Sequence, residues 1–360
     1  MNIQKSSERQ VEEPVSPSLF ELELEAPGEL EQAVISKSPA VSPLRESIRR
    51  FLRDKRAVAS LGLLVLIFFF ALIFPPIYQH IGDPITKQVS AGFVLVTPPE
   101  QYHSPAYQDY DRKLQMPSAM HWLGTDDSGQ DILARMLQGW QVSLLVAIAV
   151  EIQDVVLGVF FGVLAGYYGG TLDTLLSRFT DLMFAVPGLL FAILVTAIFG
   201  EKVQEWAGQH FGNGFAPYGR LVLASLVLGF IVWPQMARYI RGQTLQLKEQ
   251  QFIEAARTTG TRSVKIIWRH IIPNVVSLII VVATLDMAGT VIAEGTLSLL
   301  GLGAQPPGSS LGLMIFQYSG YLQVFPYEIW WPIIGLVVLV LALSFIGDGL
   351  RDAFDPRTKD

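Results

Sequence analysis

The chain has 360 residues, 51% of them hydrophobic and only 16% charged, with a mean hydropathy of +0.39. Soluble domains carry about a quarter charged residues, so apolar segments must dominate part of the chain. The absence of cysteine excludes disulfide frameworks and thiolate chemistry, and a net charge of −6 argues against nucleic-acid binding, whose footprint is a basic face.

Residues 1–44 are polar and acidic: Glu8, Glu12, Glu13, Glu21, Glu23, Glu25, Glu29 and Glu31 stand among Pro14, Pro17, Pro27, Pro39 and Pro43. Such a stretch cannot bury enough apolar surface to offset its ordering entropy, so a disordered tail is expected. Residues 45–78 join a basic flank (Arg45, Arg49, Arg50, Arg53, Lys55, Arg56) to an apolar run that ends in Pro75-Pro76. About 20 apolar residues span a bilayer, so 57–78 reads as a first membrane helix. The positive-inside rule places its flank in the cytoplasm. Residues 79–121 are polar and are expected outside. Further apolar runs at 142–167, 175–199, 221–236, 275–302 and 331–346 bring the expected spans to six. The loop over 235–274 then falls inside with Arg238, Arg241, Lys248, Arg257, Arg262, Lys265 and Arg269, and so does the tail over 351–360. An all-α membrane protein follows, with a core over 122–350 and both termini cytoplasmic.

Within the second span Gly158, Gly162 and Gly166 recur at four-residue spacing, which leaves one helix face bare for a close neighbour. Four carboxylates, Glu151, Asp154, Asp286 and Glu294, lie inside spans, where charge is expensive. They are candidates for a pathway or gate, with interhelical glue as the alternative. Arg178 with Asp181, and Asp348 with Arg351, sit three apart and are expected to pair.

The loop at 249–274 is more specific. Residues 250–259 read as a short helix with Phe252, Ala255, Ala256 and Thr259 on one face, while Glu254 and Arg257 lie outside it. Gly260 stands where a left-handed C-cap is easy for glycine. A second amphipathic stretch places Val264, Ile267, Trp268 and Ile271 together, and Pro273 is set to begin the next span. Two short capped helices between spans suit a docking platform for a cytoplasmic protein; a pair lying on the membrane surface is the alternative.

Glu254-Ala255-Ala256, Gly260 and Pro273 stand at the spacing of the EAA loop and resemble that of binding-protein-dependent ABC importer permeases. Arg269 to Asn274 looks like the dipeptide/oligopeptide/nickel branch, and so do four further motifs in order. They are His121-Trp122-Leu123-Gly124-Thr125-Asp126 with Gly129 and Asp131, Gly166 to Gly170 with Asp173, Glu294 with 297–303, and Gly347 to Asp352 with Asp355-Pro356-Arg357. Gln130 stands where that branch usually has Arg.

The resemblance implies a second, C-type permease subunit with the type I ABC importer fold in a bacterial inner membrane. It would import peptides or similar small solutes. Glu254, Ala255, Ala256, Arg257, Gly260 and Pro273 would couple it to two ATPase subunits, beside a second homologous permease subunit and an extracytoplasmic solute-binding protein. The resemblance implies no enzyme activity and no bound cofactor here, with ATP used by the partners. The chain has no Gly-x-x-x-x-Gly-Lys-[Ser/Thr] phosphate loop, in keeping with this. Tyr102, Tyr107 and Tyr110 are candidates for contact with the binding protein or for the lipid interface. The histidines (His80, His103, His121, His210, His270) form no helical pair, so no transition-metal site is expected. A secondary transporter is the alternative reading, although no inverted repeat is evident.

Overall fold

Away from water a chain can satisfy its backbone polar groups within one segment only as a helix, and helices dominate this structure. The computed structural model describes residues 49–89 and 93–354; the acidic tail and the Asp355-Pro356-Arg357 motif lie outside them. In order come α1 (Lys55–Tyr78), β1 (Ile85–Val89), β2 (Phe93–Thr97), α2 (Pro99–Tyr102) and α3 (Ile132–Tyr168). Then follow α4 (Gly170–Ala185), α5 (Gly188–Phe211), α6 (Gly219–Leu247) and α7 (Gln251–Thr258). The chain continues through α8 (Ser263–Leu299), α9 (Leu311–Ser319) and α10 (Tyr327–Phe354).

Helices α1, α3, α6, α8 and α10 are each long and apolar enough to cross a membrane, and α4 with α5 makes a bent pair. Two expectations change here. The run over 175–199 is not one straight span, because α4 and α5 meet at 73°. Val186 is extended (φ −87°, ψ 123°) ahead of Pro187, as the residue before a proline tends to be. The chain is also not purely helical, since β1 and β2 form an antiparallel hairpin with Ile85 opposite Thr97 and Val89 opposite Phe93.

Two long helices turn through a π segment directly before a proline. In α1 the Phe74 amide donates to Phe69 across Phe69–Ile73, and in α8 the Ile272 amide donates to Ile267 across Ile267–Ile271. Pro75 and Pro273 follow, neither able to donate to the preceding turn. The Ala71 carbonyl that Pro75 leaves free accepts from the Gln141 side chain of α3.

The bare stripe on α3 does what its spacing implies. A Cβ on Gly158 would lie 2.5 Å from Met236 Cβ, on Gly162 2.6 Å from the Ala237 carbonyl oxygen, and on Gly166 2.7 Å from Thr244 Cβ. Helix α6 therefore rests against α3 over three successive turns. Beside this pair, Ile67 and Ala71 of α1, Leu144 and Ala147 of α3, Ala288 and Val291 of α8, and Leu339 and Leu343 of α10 form a central core. The outer surface carries Val65, Leu145, Val156 and Leu190, all 60% exposed or more, which suits hydrocarbon as the solvent.

Candidate coupling loop and buried polar centres

Helix α7 ends as its sequence implies. Gly260 has φ +76°, and the amides of Thr261 and Gly260 donate to the carbonyls of Ala256 (3.1 Å) and Arg257 (2.9 Å). This double closure fixes the helix end. The face that packs inward is centred on a residue that the pattern did not single out. Ile253 is the anchor, fully buried among Met236 and Ile240 of α6, Val163 of α3, and Ile266 and Ile271 of α8. Ala256 is half-buried against the same cluster. Phe252, Glu254, Ala255, Arg257 and Thr259 face outward. The Arg257 guanidinium lies 5.1 Å from the centre of the Tyr167 ring at the end of α3.

In α8 the buried pair is Ile266 and Ile271, five residues apart, because the π turn adds one residue to that turn. Val264 and Trp268, expected beside Ile271, point outward at 61% and 68% exposure. Pro273 is exposed just past the π turn.

The embedded carboxylates separate into two kinds. Glu294 is 1% exposed and fully engaged, accepting from Ser143 Oγ at 2.9 Å and Ser298 Oγ at 2.7 Å, while Ser310 Oγ donates to Ser298 at 3.1 Å. Those bonds tie α3, α8 and the start of α9. Glu151 accepts from Thr290 Oγ1 at 3.2 Å, one turn along α8 from Asp286. Asp154, one turn along α3 from Glu151, is fully buried, and neither of its oxygens has a partner among the described residues. Asp286 lines open space. It stands where a cavity of about 450 Å³, bounded by Phe184, Pro187 and Ile231, meets another of about 710 Å³ that reaches Gln243, Asn274 and Arg351.

Arg178 and Asp181 do not pair. Asp181 instead accepts from Arg238 of α6 at 2.7 Å, and Asp173 receives a fork from Arg241 at 2.5 and 2.8 Å. A contact between helices thus replaces the expected i,i+3 pair. No ion pair joins Asp348 to Arg351 among the described residues.

At the opposite end of the bundle from α7, Asp131 caps α3 by accepting from the Ala134 amide at 2.9 Å. Its Oδ2 meets His121 Nδ1 at 2.7 Å, His103 Nδ1 at 3.0 Å and Tyr78 Oη at 2.9 Å. Burial opposes ionisation of Asp131, but the bonds from His103, His121 and the Ala134 amide outweigh it and hold its pKa below the usual value. The histidines are 18 residues apart in sequence, and the helical-spacing test that discounted them could not detect a meeting made by the tertiary fold. Nearby, Arg135 bonds Asp126, and its other nitrogen donates to Gln317 of α9 at 2.5 Å. Tyr102, a candidate for an outer contact, is buried at 2% exposure against His103, whereas Tyr110 is 62% exposed.

Residues 158–360 match the family described as the binding-protein-dependent transport system inner membrane component. Residues 42–117 match the N-terminal TM domain of oligopeptide transport permease C. The chain belongs to this permease family. It is 35% identical to the oligopeptide transport system permease protein OppC of Haemophilus influenzae, over 88% of this chain and 89% of that protein. It is 36% identical to the glutathione transport system permease protein GsiD of Pectobacterium atrosepticum, over 91% and 95%. Identity to the dipeptide transport system permease protein DppC of Alkalihalophilus pseudofirmus is 33%, over 89% and 92%. The permease is thus a C-type subunit of the dipeptide/oligopeptide branch, a multi-pass inner-membrane transport component rather than an enzyme.

Two residues of this permease that pattern reading passed over carry much of the local order. Ile253 sits between two residues assigned to other faces, and its i,i+3 partner Ala256 is the only periodic trace of its role. Arg135 follows the Asp131 cap by one turn, a spacing that hints at a helix-start cluster without naming Asp126. For Glu294, the sealed bonding predicts that Glu294→Gln inserts and assembles like the wild type. Glu294→Leu strands the Ser143 and Ser298 hydroxyls, at a cost of about 1–3 kcal/mol each if neither finds a new partner. Thermal unfolding in detergent checks this, and equal midpoints for Leu and Gln would remove the bonding role.

Proposed function

We propose that this permease imports peptides or similar small solutes in an ATP-driven, binding-protein-dependent complex. The three relatives described above, permeases of oligopeptide, glutathione and dipeptide systems, support that substrate class. In this reading the bent pair α4–α5 makes one crossing, giving six spans of the type I importer arrangement with both termini cytoplasmic. A second homologous permease subunit completes the pathway. Two separate ATPase subunits bind and use ATP, and an extracytoplasmic binding protein delivers the solute.

The observation that carries the coupling role is α7 itself. It is short, closed by Gly260 and riveted by Ile253 to α3, α6 and α8, yet it keeps Phe252, Glu254, Ala255 and Arg257 outward. A stiff segment with a free outer face can transmit a push from a partner to three helices at once. Asp286, at the meeting of two cavities, is the pathway candidate best supported by its surroundings; Glu151 and Asp154 back it from α3, and Glu294 acts as a brace. Movement between inward and outward states then requires each ATP-bound contact at α7 to favour one of them.

Because Ala256 is half-buried, Ala255→Arg is the cleaner test. That variant should insert and fold normally, while co-purification of the ATPases and solute uptake both fall sharply. Wild-type uptake by Ala255→Arg would overturn coupling through this face. Recovery of the chain without ATPases, from membranes that keep other complexes intact, would favour a secondary transporter.

A further inference from the structure

Three side chains converge on one oxygen at the Asp131 centre: Asp131 Oδ2 is approached by His121 Nδ1, His103 Nδ1 and Tyr78 Oη at 2.7, 3.0 and 2.9 Å. Two donors, from His121 and Tyr78, are as many as one carboxylate oxygen readily serves. His103 carries the mismatch. Its Nε2 faces the Ile81 carbonyl at 3.1 Å and must donate there. A neutral imidazole then has only a lone pair left at Nδ1, aimed at another oxygen lone pair.

A cation among these atoms removes this conflict. Metal-ligating histidines commonly donate their other ring N–H to a backbone carbonyl, as His103 does to Ile81, and ligating carboxylates are themselves hydrogen-bonded, as Asp131 Oδ1 is by Ala134. With metal–ligand distances near 2.0–2.2 Å, neighbouring donors of a tetrahedral site stand roughly 3.3–3.6 Å apart. The observed 2.7 and 3.0 Å are shorter, so an ion would open these pairs by roughly half an ångström, and the three donor atoms already lie within 4.8 Å of one another. His103, His121 and Asp131 are all buried, at 2%, 3% and 0% exposure. A cavity of about 240 Å³ lined by Tyr78, His103 and Gln138 gives an ion and its water a way in.

We propose that His103, His121 and Asp131 form a binding site for a first-row divalent cation of the zinc type, with Tyr78 beside the open coordination position. Two imidazoles and one carboxylate suit a borderline ion better than calcium or magnesium. The ligands come from the segment after α2, the loop before α3 and the α3 cap itself. The ion is therefore a staple that holds residues 79–121 to the start of α3, independent of the transported solute and of the coupling loop.

The test uses the full chain purified in detergent, stripped with a chelator and then titrated with Co²⁺ or Zn²⁺ alone. After gel filtration, elemental analysis should find about one ion per chain. Bound Co²⁺ should show visible bands that Zn²⁺ abolishes, and Zn²⁺ should raise the thermal midpoint. His103→Gln and His121→Gln keep a donor toward Asp131 but lose the imidazole ligand. Each should fold and lose the bound ion, while His210→Gln, at an exposed site, keeps it. Failure of folded wild-type chain to retain an ion would overturn the site and leave a hydrogen-bonded cap. Undiminished binding by the paired His103→Gln/His121→Gln variant would also overturn it, and the wild-type measurement decides the matter if the variants do not fold.

Discussion

Arg135→Ala is expected to destabilise the permease by about 3–5 kcal/mol, the scale for removing one partner of a buried ion pair. Asp126 is 0% exposed and Arg135 3%, so loss of the guanidinium strands a charge that water cannot reach. Asp126 Oδ1 is already committed to the amides of Ser128 and Gln130, at 2.9 and 2.8 Å, so the loop cannot swing out to solvent without losing both bonds. Arg135 also reaches Gln317 and lies 5.6 Å from the Tyr318 ring centre, so its removal loosens α9. Arg135→Lys should fall between wild type and alanine, since an ammonium cannot reproduce the fork. Pairing Asp126→Asn with Arg135→Met should recover part of the loss by removing both charges. Thermal unfolding in detergent reads all three variants, and a shift for Arg135→Ala no larger than that of an exposed-surface change would refute the account.

The second large effect is expected at Ile253. Truncation to alanine removes a fully buried side chain, a class of change that costs about 2–5 kcal/mol. Here the cost falls locally, on the seating of α7, rather than on the whole bundle. Insertion and the global unfolding transition should change little, while amide exchange in α7 accelerates; in the proposed coupling, uptake is lost because a partner's push would no longer reach α3, α6 and α8. Ile253→Val should retain most uptake. An alanine variant with protected α7 amides and normal uptake would show that the seating does not matter.

The sequence was most legible where a residue's role depends on its own backbone or on helical spacing. Gly260 had to end a helix, and Gly158, Gly162 and Gly166 had to admit a neighbour. It was least legible where geometry departs from 3.6 residues per turn. The π turn before Pro273 moved Val264 and Trp268 off the buried face, and the Val186-Pro187 elbow split a run that is apolar throughout. Long-range pairing was also hidden: Asp181 takes Arg238 rather than Arg178, and His103 finds His121 only through Asp131. In these cases the partner is set by helix packing, of which no single helix carries a trace.

The glycine stripe has a mechanical consequence. With glycine at 158, 162 and 166, α3 and α6 approach closely along roughly 12 Å of axis, at 1.5 Å per residue. Neither can slide past the other without lifting out of that seat, and the Asp173–Arg241 and Asp181–Arg238 bonds pin α4 to the same block. The pair therefore behaves as a strut. In the proposed coupling, a load arriving at α7 would pass along it, and the deformation would appear at its flanks, at the α4–α5 elbow and along the seam with α8 where Asp286 lies.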